Sequence, residues 1–150
     1  MRRAITATLA VATAVLAGCS APPPPDVTFY TDGESVVASP MGLCEVGKDT
    51  CLQDEDAVVT LPTRKGQPVQ ISVSSQVANS PWGVVFSYVD RAGQQQAASS
   101  RLISDGSLAY TLVPPPDAEL LIYVEVQKLR AVQGKLVETG IWGLTTRQRG

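Results

Sequence analysis

Histidine is absent from all 150 residues. Its absence removes Ser-His-Asp and Cys-His nucleophiles, imidazole-bound metals, and the side chain that titrates nearest neutral pH. No P-loop, GxGxxG or SxxK sequence occurs, so there is neither an evident phosphate cradle nor a marked Ser-Lys dyad. No helical period is long enough to define an amphipathic helix. Basic charge is also lacking, with 12 Lys and Arg against 14 Asp and Glu. A nucleic-acid partner is not expected from such a balance.

What is present begins with an address. Arg2 and Arg3 form a basic n-region, and Ala4 to Leu16 carry no charge. That stretch is shorter than the roughly 20 apolar residues needed to span a bilayer, and it has the length of a secretory h-region. It ends in Leu16-Ala17-Gly18-Cys19, which resembles the bacterial lipobox. In that motif a branched apolar residue and two small ones enter a signal peptidase, and the cysteine thiol carries a diacylglyceryl group. Residues 1–18 are therefore expected to be a cleaved lipoprotein signal peptide, with Cys19 as the lipidated first residue. The alternative is an ordinary secreted chain cut near Gly18 with an unmodified Cys19. Two acyl chains hold a protein stably, since each buried methylene contributes about 0.8 kcal/mol and a single chain binds only marginally. The expected location is the outer face of a bacterial cell membrane.

Residues 19–26 form a tether in which Ser20, Ala21 and Pro22 to Pro25 are too small or too rigid to build a core. In a polyproline II conformation it spans on the order of 20 Å. Residues 27–150 are left as one domain, with no room for a second. Without Arg2 and Arg3 the 12 basic residues become 10 against 14 acidic ones, a net charge of −4.

With Cys19 assigned to lipid, Cys44 and Cys51 remain as a pair in an oxidising compartment and are expected to be bonded. Closing so short a loop contributes roughly 2.5 kcal/mol by the chain-entropy estimate. A redox or zinc role fits poorly: the spacing is not CxxC, and zinc needs four ligands.

The domain reads as strands. Val69, Ile71 and Val73 alternate with Gln70, Ser72 and Ser74, and Trp82, Val84, Phe86 and Tyr88 share one side of the run to Val89. Leu108, Tyr110 and Leu112 alternate until the prolines at 114 to 116; Leu120 to Val126 is the most apolar strand and Ile141 to Thr146 the last. Weaker strands are expected at Val27 to Tyr30, Val36 to Ala38 and Ala57 to Leu61. Seven or eight short strands punctuated by turns point to an all-β antiparallel sandwich, because a parallel sheet needs crossover helices. Trp82 early in a central strand, with Leu108-x-Tyr110-x-Leu112 ahead of the most apolar strand, is similar to immunoglobulin-like domains. The cysteine pair differs from theirs, being too close in sequence to join strands B and F.

Chemistry is sparse. Glu45, Asp49, Asp54, Glu55 and Asp56 make an acidic loop beside the cysteines, without EF-hand spacing. It reads as a solvated loop, and no cofactor or metal is expected. Lys128, Arg130 and Lys135 lie in a late hairpin, which gives a basic end opposed to the acidic loop and able to steer an anionic polymer or headgroup. Trp82 and Trp142 read as core, with Gly83 and Gly143 allowing close packing against their rings.

Val27-Thr28-Phe29-Tyr30, Cys44 and Cys51, the run Gly66 to Val73, Pro81-Trp82 with Phe86-Ser87-Tyr88, and Leu108 to Leu112 together resemble uncharacterised actinobacterial lipoproteins grouped only as a domain of unknown function. The resemblance covers nearly the whole chain. It implies an actinobacterial cell envelope and carries over no catalytic residue. The expectation is a non-enzymatic envelope lipoprotein that binds a protein or polymer through the loops 76–81, 101–107 and 129–139. The alternatives are a small-molecule or lipid carrier with a cavity between the sheets, a hydrolase with converging carboxylates, and a plain spacer.

Overall fold

The computed structural model describes residues 21–45 and 47–150. Leu16, Ala17, Gly18 and Cys19 lie outside the described residues. Eleven strands form two sheets packed as a sandwich, more than the seven or eight expected.

The smaller sheet runs β2 (Glu34–Ala38), β1 (Val27–Thr31), β6 (Val69–Val73), β9 (Ala109–Leu112). The larger runs β4 (Leu52–Gln53), β3 (Gly42–Leu43), β11 (Lys135–Gln148), β10 (Ala118–Val132), β7 (Trp82–Asp90), β8 (Gln95–Ser99). Its remaining strand, β5 (Val59–Thr63), pairs with β11 in parallel, which departs from the purely antiparallel expectation. That is possible without a crossover helix because β5 and β11 are far apart in sequence, with β6 to β10 running through both sheets between them.

The order is that of an immunoglobulin-like sandwich. Strands β1, β6 and β9 stand as A, B and E; β11, β10 and β7 stand as G, F and C, and β8 extends the second sheet beyond C as C′ does in variable domains. Trp82 opens the strand in the C position and is fully buried, as the sequence pattern predicts.

The core is apolar and continuous. Trp82, Trp142, Phe29, Ile71, Leu112 and Leu144 are its largest fully enclosed side chains. Burying each aliphatic or phenyl group contributes roughly 1.5–3 kcal/mol, so the space between the sheets is where most of the stability resides. The alternation expected for β6 and β7 is realised, with Val69, Ile71 and Val73, and Trp82, Val84, Phe86 and Tyr88, turned inward. Three polar side chains are also buried. Thr31 and Thr63 share a hydrogen bond of 3.1 Å, and the Thr146 hydroxyl donates to the Leu121 carbonyl.

Both Trp indoles need a partner for their N–H once buried, and each ties a loop to the core. Trp82 donates to the Ser107 carbonyl at 3.1 Å, and its backbone exchanges bonds with Ile103 at 3.0 and 2.8 Å. Trp142 donates to the Pro25 carbonyl at 2.9 Å. The proline segment is thus bound to the domain, and Pro22 and Pro24 line a cleft with Leu43, Cys51 and Leu52. Of the expected spacer of about 20 Å, the described residues Pro22 to Pro25 lie along the disulfide loop instead of standing free.

Candidate binding surface

Strand direction decides which loops meet. β1 starts at the end where Pro25 is tied to Trp142 and finishes at Thr31 beside Thr63, at the opposite end. The first end receives the segment 74–81 between β6 and β7, the segment 100–108 between β8 and β9, and the turn of the β10–β11 hairpin. The loops 76–81, 101–107 and 129–139 therefore share one end, as immunoglobulin-like connectivity predicts. This is called the loop end below.

Each loop is fixed by a few bonds. Ser75–Ala78 makes a single turn of α-helix, α1, anchored by buried Val77 and Ala78. The Leu129 amide donates to the Pro81 carbonyl at 2.7 Å, and the Lys128 ammonium donates to the Gln76 carbonyl at 2.6 Å. Partial burial pulls the Lys128 pKa below its ordinary value. From the other side, the Cys44 amide donates to the Thr139 carbonyl at 2.8 Å. Cys44 and Cys51 are disulfide-bonded with Cα atoms 4.4 Å apart. Such a bond belongs to an oxidising, extracytoplasmic compartment.

Between these elements lies a cleft of about 190 Å³, walled by Pro25, Glu45, Gln76, Lys128, Arg130 and Thr139 among others. It is smaller than the roughly 300–1,000 Å³ of drug-sized ligand sites. The acidic loop and the basic hairpin were expected at opposed places, yet Glu45 and Arg130 line the same cleft. The reason is β3, which pairs with β11 through Leu43 and Gly140 and brings the cysteine loop alongside the hairpin.

The acidic loop itself is dispersed. Glu45 pairs with Lys48, while Asp54 caps the 3-10 turn Glu55–Ala57 by accepting from the Asp56 amide at 3.2 Å. Among the described residues, no group of three or more Cys, Asp and Glu side chains is arranged to hold a metal ion.

A second polar group, which the sequence reading missed, sits on the outer face of the larger sheet. The Tyr123 hydroxyl donates to Glu125 at 3.0 Å, and the Gln127 amide donates to the other Glu125 oxygen at 2.7 Å. Burial, with Glu125 beside it, pushes the Tyr123 pKa far up, so the phenol acts as a hydrogen-bond donor. Burial and Glu125 also raise Glu138. The signal available in sequence was Tyr123-x-Glu125-x-Gln127, three polar residues alternating with the apolar core face.

The glycines after the tryptophans serve other neighbours than those expected. A Cβ on Gly143 would lie 2.6 Å from the Met41 sulfur and 2.7 Å from the Tyr123 hydroxyl, so the residue makes room for this outer group. The Trp142 ring instead covers Gly140, and Gly83 meets only Ser100 at 3.6 Å.

The comparisons bear on this arrangement. Residues 20–147 match the model of a family described as "Protein of unknown function (DUF2771)". The chain belongs to this family. The DUF2771 match begins one residue beyond Cys19 and takes in both sheets, the disulfide and every loop of the loop end. It agrees with the resemblance drawn from the residues and assigns no reaction. No curated protein and no solved structure matches the chain. No helix among the described residues of this DUF2771 chain is long and apolar enough to cross a membrane.

Proposed function

We propose that the chain is a cell-envelope lipoprotein, anchored by lipid on Cys19 to the outer face of a bacterial membrane, whose sandwich is a non-catalytic binding module working through its loop end. The leader and Leu16-Ala17-Gly18-Cys19 support the anchor, and the Cys44–Cys51 disulfide is consistent with export. The observation that carries the binding role is the loop end itself: three loops, a cleft and most of the exposed apolar side chains gather there. Of nine large apolar residues exposed among the described residues, six (Leu52, Leu102, Leu108, Val132, Leu136 and Val137) lie at or beside it. Exposed apolar groups concentrated in one region mark interaction surfaces. The carrier alternative finds less support, because Trp82, Trp142 and Phe29 fill the space between the sheets.

The test is fractionation of cells making the native chain or C19A, combined with photocrosslinking from positions 102 and 136. The native chain should stay with membranes and C19A should be lost from them, and adducts should form from both positions. Retention of C19A on the membrane would contradict the anchor. Native chains that give no adduct would reduce the domain to a spacer.

A further inference from the structure

The β10–β11 hairpin outruns every neighbour. β7 pairs with β10 as far as Lys128, and β3 pairs with β11 as far as Gly140. The Leu129 amide still bonds to the Pro81 carbonyl, and beyond it Arg130 to Val132 pair only with Lys135 to Val137. Three residue pairs at about 3.4 Å each make a two-stranded ribbon projecting roughly 10 Å, closed by Gln133 and Gly134 at φ 50° and 78°. Both positive angles are those of a type I′ hairpin turn.

The ribbon's chemistry is unlike that of a wet hairpin tip. From Leu129 to Val137 there is no carboxylate, and Arg130 and Lys135 are the charged groups. Among the described residues, the ion pairs engage neither of them. Cross-strand partners point to the same face, so Ala131 and Leu136 share one face while Val137 beside Arg130 and Val132 beside Lys135 share the other. Leu136 is 52% exposed, Val137 46% and Val132 44%. A ribbon made to lie on a protein would show one apolar face. Apolar groups on both faces, with both cations on the Val132 and Val137 face, suit immersion in an anionic layer that surrounds the tip.

The chain's attachment fixes what that layer is. Pro22 and Pro24 lie against the disulfide loop, and Pro25 is held by Trp142, all at the end from which the ribbon projects. Two residues separate Pro22 from Cys19, and three extended Cα–Cα steps cover at most about 11 Å. A lipid on Cys19 therefore keeps the loop end facing the bilayer and within reach of its headgroups.

We propose that the loop end docks on the membrane that holds the anchor, the Arg130–Val137 ribbon dipping into the headgroup layer of an anionic phospholipid leaflet, with Arg130 and Lys135 on its phosphates. This rests on the lipid-anchored reading above. The opposite end, with Asp32, Arg64 and Arg149, then faces away from the bilayer.

Full-length lipidated protein carrying L136W or, at the opposite end, Y30W is reconstituted into phosphatidylglycerol-containing vesicles with brominated acyl chains. The native chain sets the baseline, since Trp82 and Trp142 are both fully buried. Interfacial immersion on the order of 5–10 Å should quench the indole at position 136 about twofold while the one at position 30 stays at baseline. Quenching should weaken in vesicles of phosphatidylcholine alone. Co-flotation with vesicles but no quenching at position 136 would overturn the docking and leave the anchor standing, as would equal quenching at both positions. Equal quenching with and without phosphatidylglycerol would overturn the anionic preference. A chain that fails to co-float would refute the anchor, and the docking with it.

Discussion

Gly140 and Gly143 show how single residues fix the outer and inner layers of the larger sheet. An Ala Cβ at position 140 would approach the enclosed Trp142 ring to 2.7 and 2.9 Å, and the ring has nowhere to move. Overpacking of this kind typically costs about 1–3 kcal/mol, so G140A should lower the urea midpoint clearly. G143A should cost less, because Met41 ends in a flexible thioether and the Tyr123 hydroxyl it also meets sits on the outer face, and G83A should be nearly silent. The rank order in denaturation is the check, and a silent G140A would contradict the packing. At the opposite end, hydrogen bonds from Arg64 hold Asp32 below its ordinary pKa of 3.8; burial opposes this, and the charges of Arg64 and Arg149 add to it. Because the folded pKa is depressed, the stabilisation is fully present above 3.8 and is lost as pH falls through the folded value. D32N should therefore flatten the acid limb of stability below pH 4, while Asp90 and Asp105, also held low by hydrogen bonds, keep part of the slope. An unchanged acid limb would exclude Asp32 as a contributor. At this scale the cysteine pair was legible from spacing and compartment alone. The partners of the glycines were not, because a dipeptide such as Trp142-Gly143 says nothing about which ring crosses which glycine.

Among the elements, legibility followed alternation. β1, β6, β7 and β9 appear within two residues of the expected limits because apolar and polar residues alternate along them. β8, Gln95–Ser99, has no such pattern: it is an edge strand, almost wholly exposed, and pairs only with β7. β3 and β4 are two residues long and owe their pairing to the disulfide loop they flank. β10 and β11 run well past the expected strands because the exposed ribbon is held by cross-strand hydrogen bonds and a tight turn rather than by core contacts. Ala57 falls in a 3-10 turn instead of a strand, with Asp54 capping it. Since the disulfide staples β3 to β4, C44A/C51A should destabilise the domain by roughly 2.5 kcal/mol and raise amide exchange first at Gly42, Leu43 and Leu52. Uniform exchange across the sandwich would place the staple's effect elsewhere.

At the scale of the molecule, the ion pairs among the described residues cluster away from the loop end, except Glu45 with Lys48 in the disulfide loop. Arg64 and Arg149 with Asp32, Arg149 with Glu34, and Lys65 and Arg91 with Glu119 satisfy cations there, whereas Arg130 and Lys135 stand out from the ribbon without such partners among the described residues. The polarity of the domain thus follows from where its charges are paired, and composition could give only its net value. The sandwich and the gathering of three loops were legible because strand order constrains both. The cleft was not, since it depends on the cysteine loop lying beside the hairpin and on Pro25 being captured by Trp142. Everything proposed for the loop end depends on the attachment at Cys19. The most direct test is the intact mass of the native protein extracted from cell membranes in detergent. The account predicts a chain beginning at Cys19, carrying a diacylglyceryl group and about two hydrogens light for the disulfide. A chain that still carries residues 1–18, or one that starts near residue 19 with an unmodified thiol and is recovered from the medium, would contradict it.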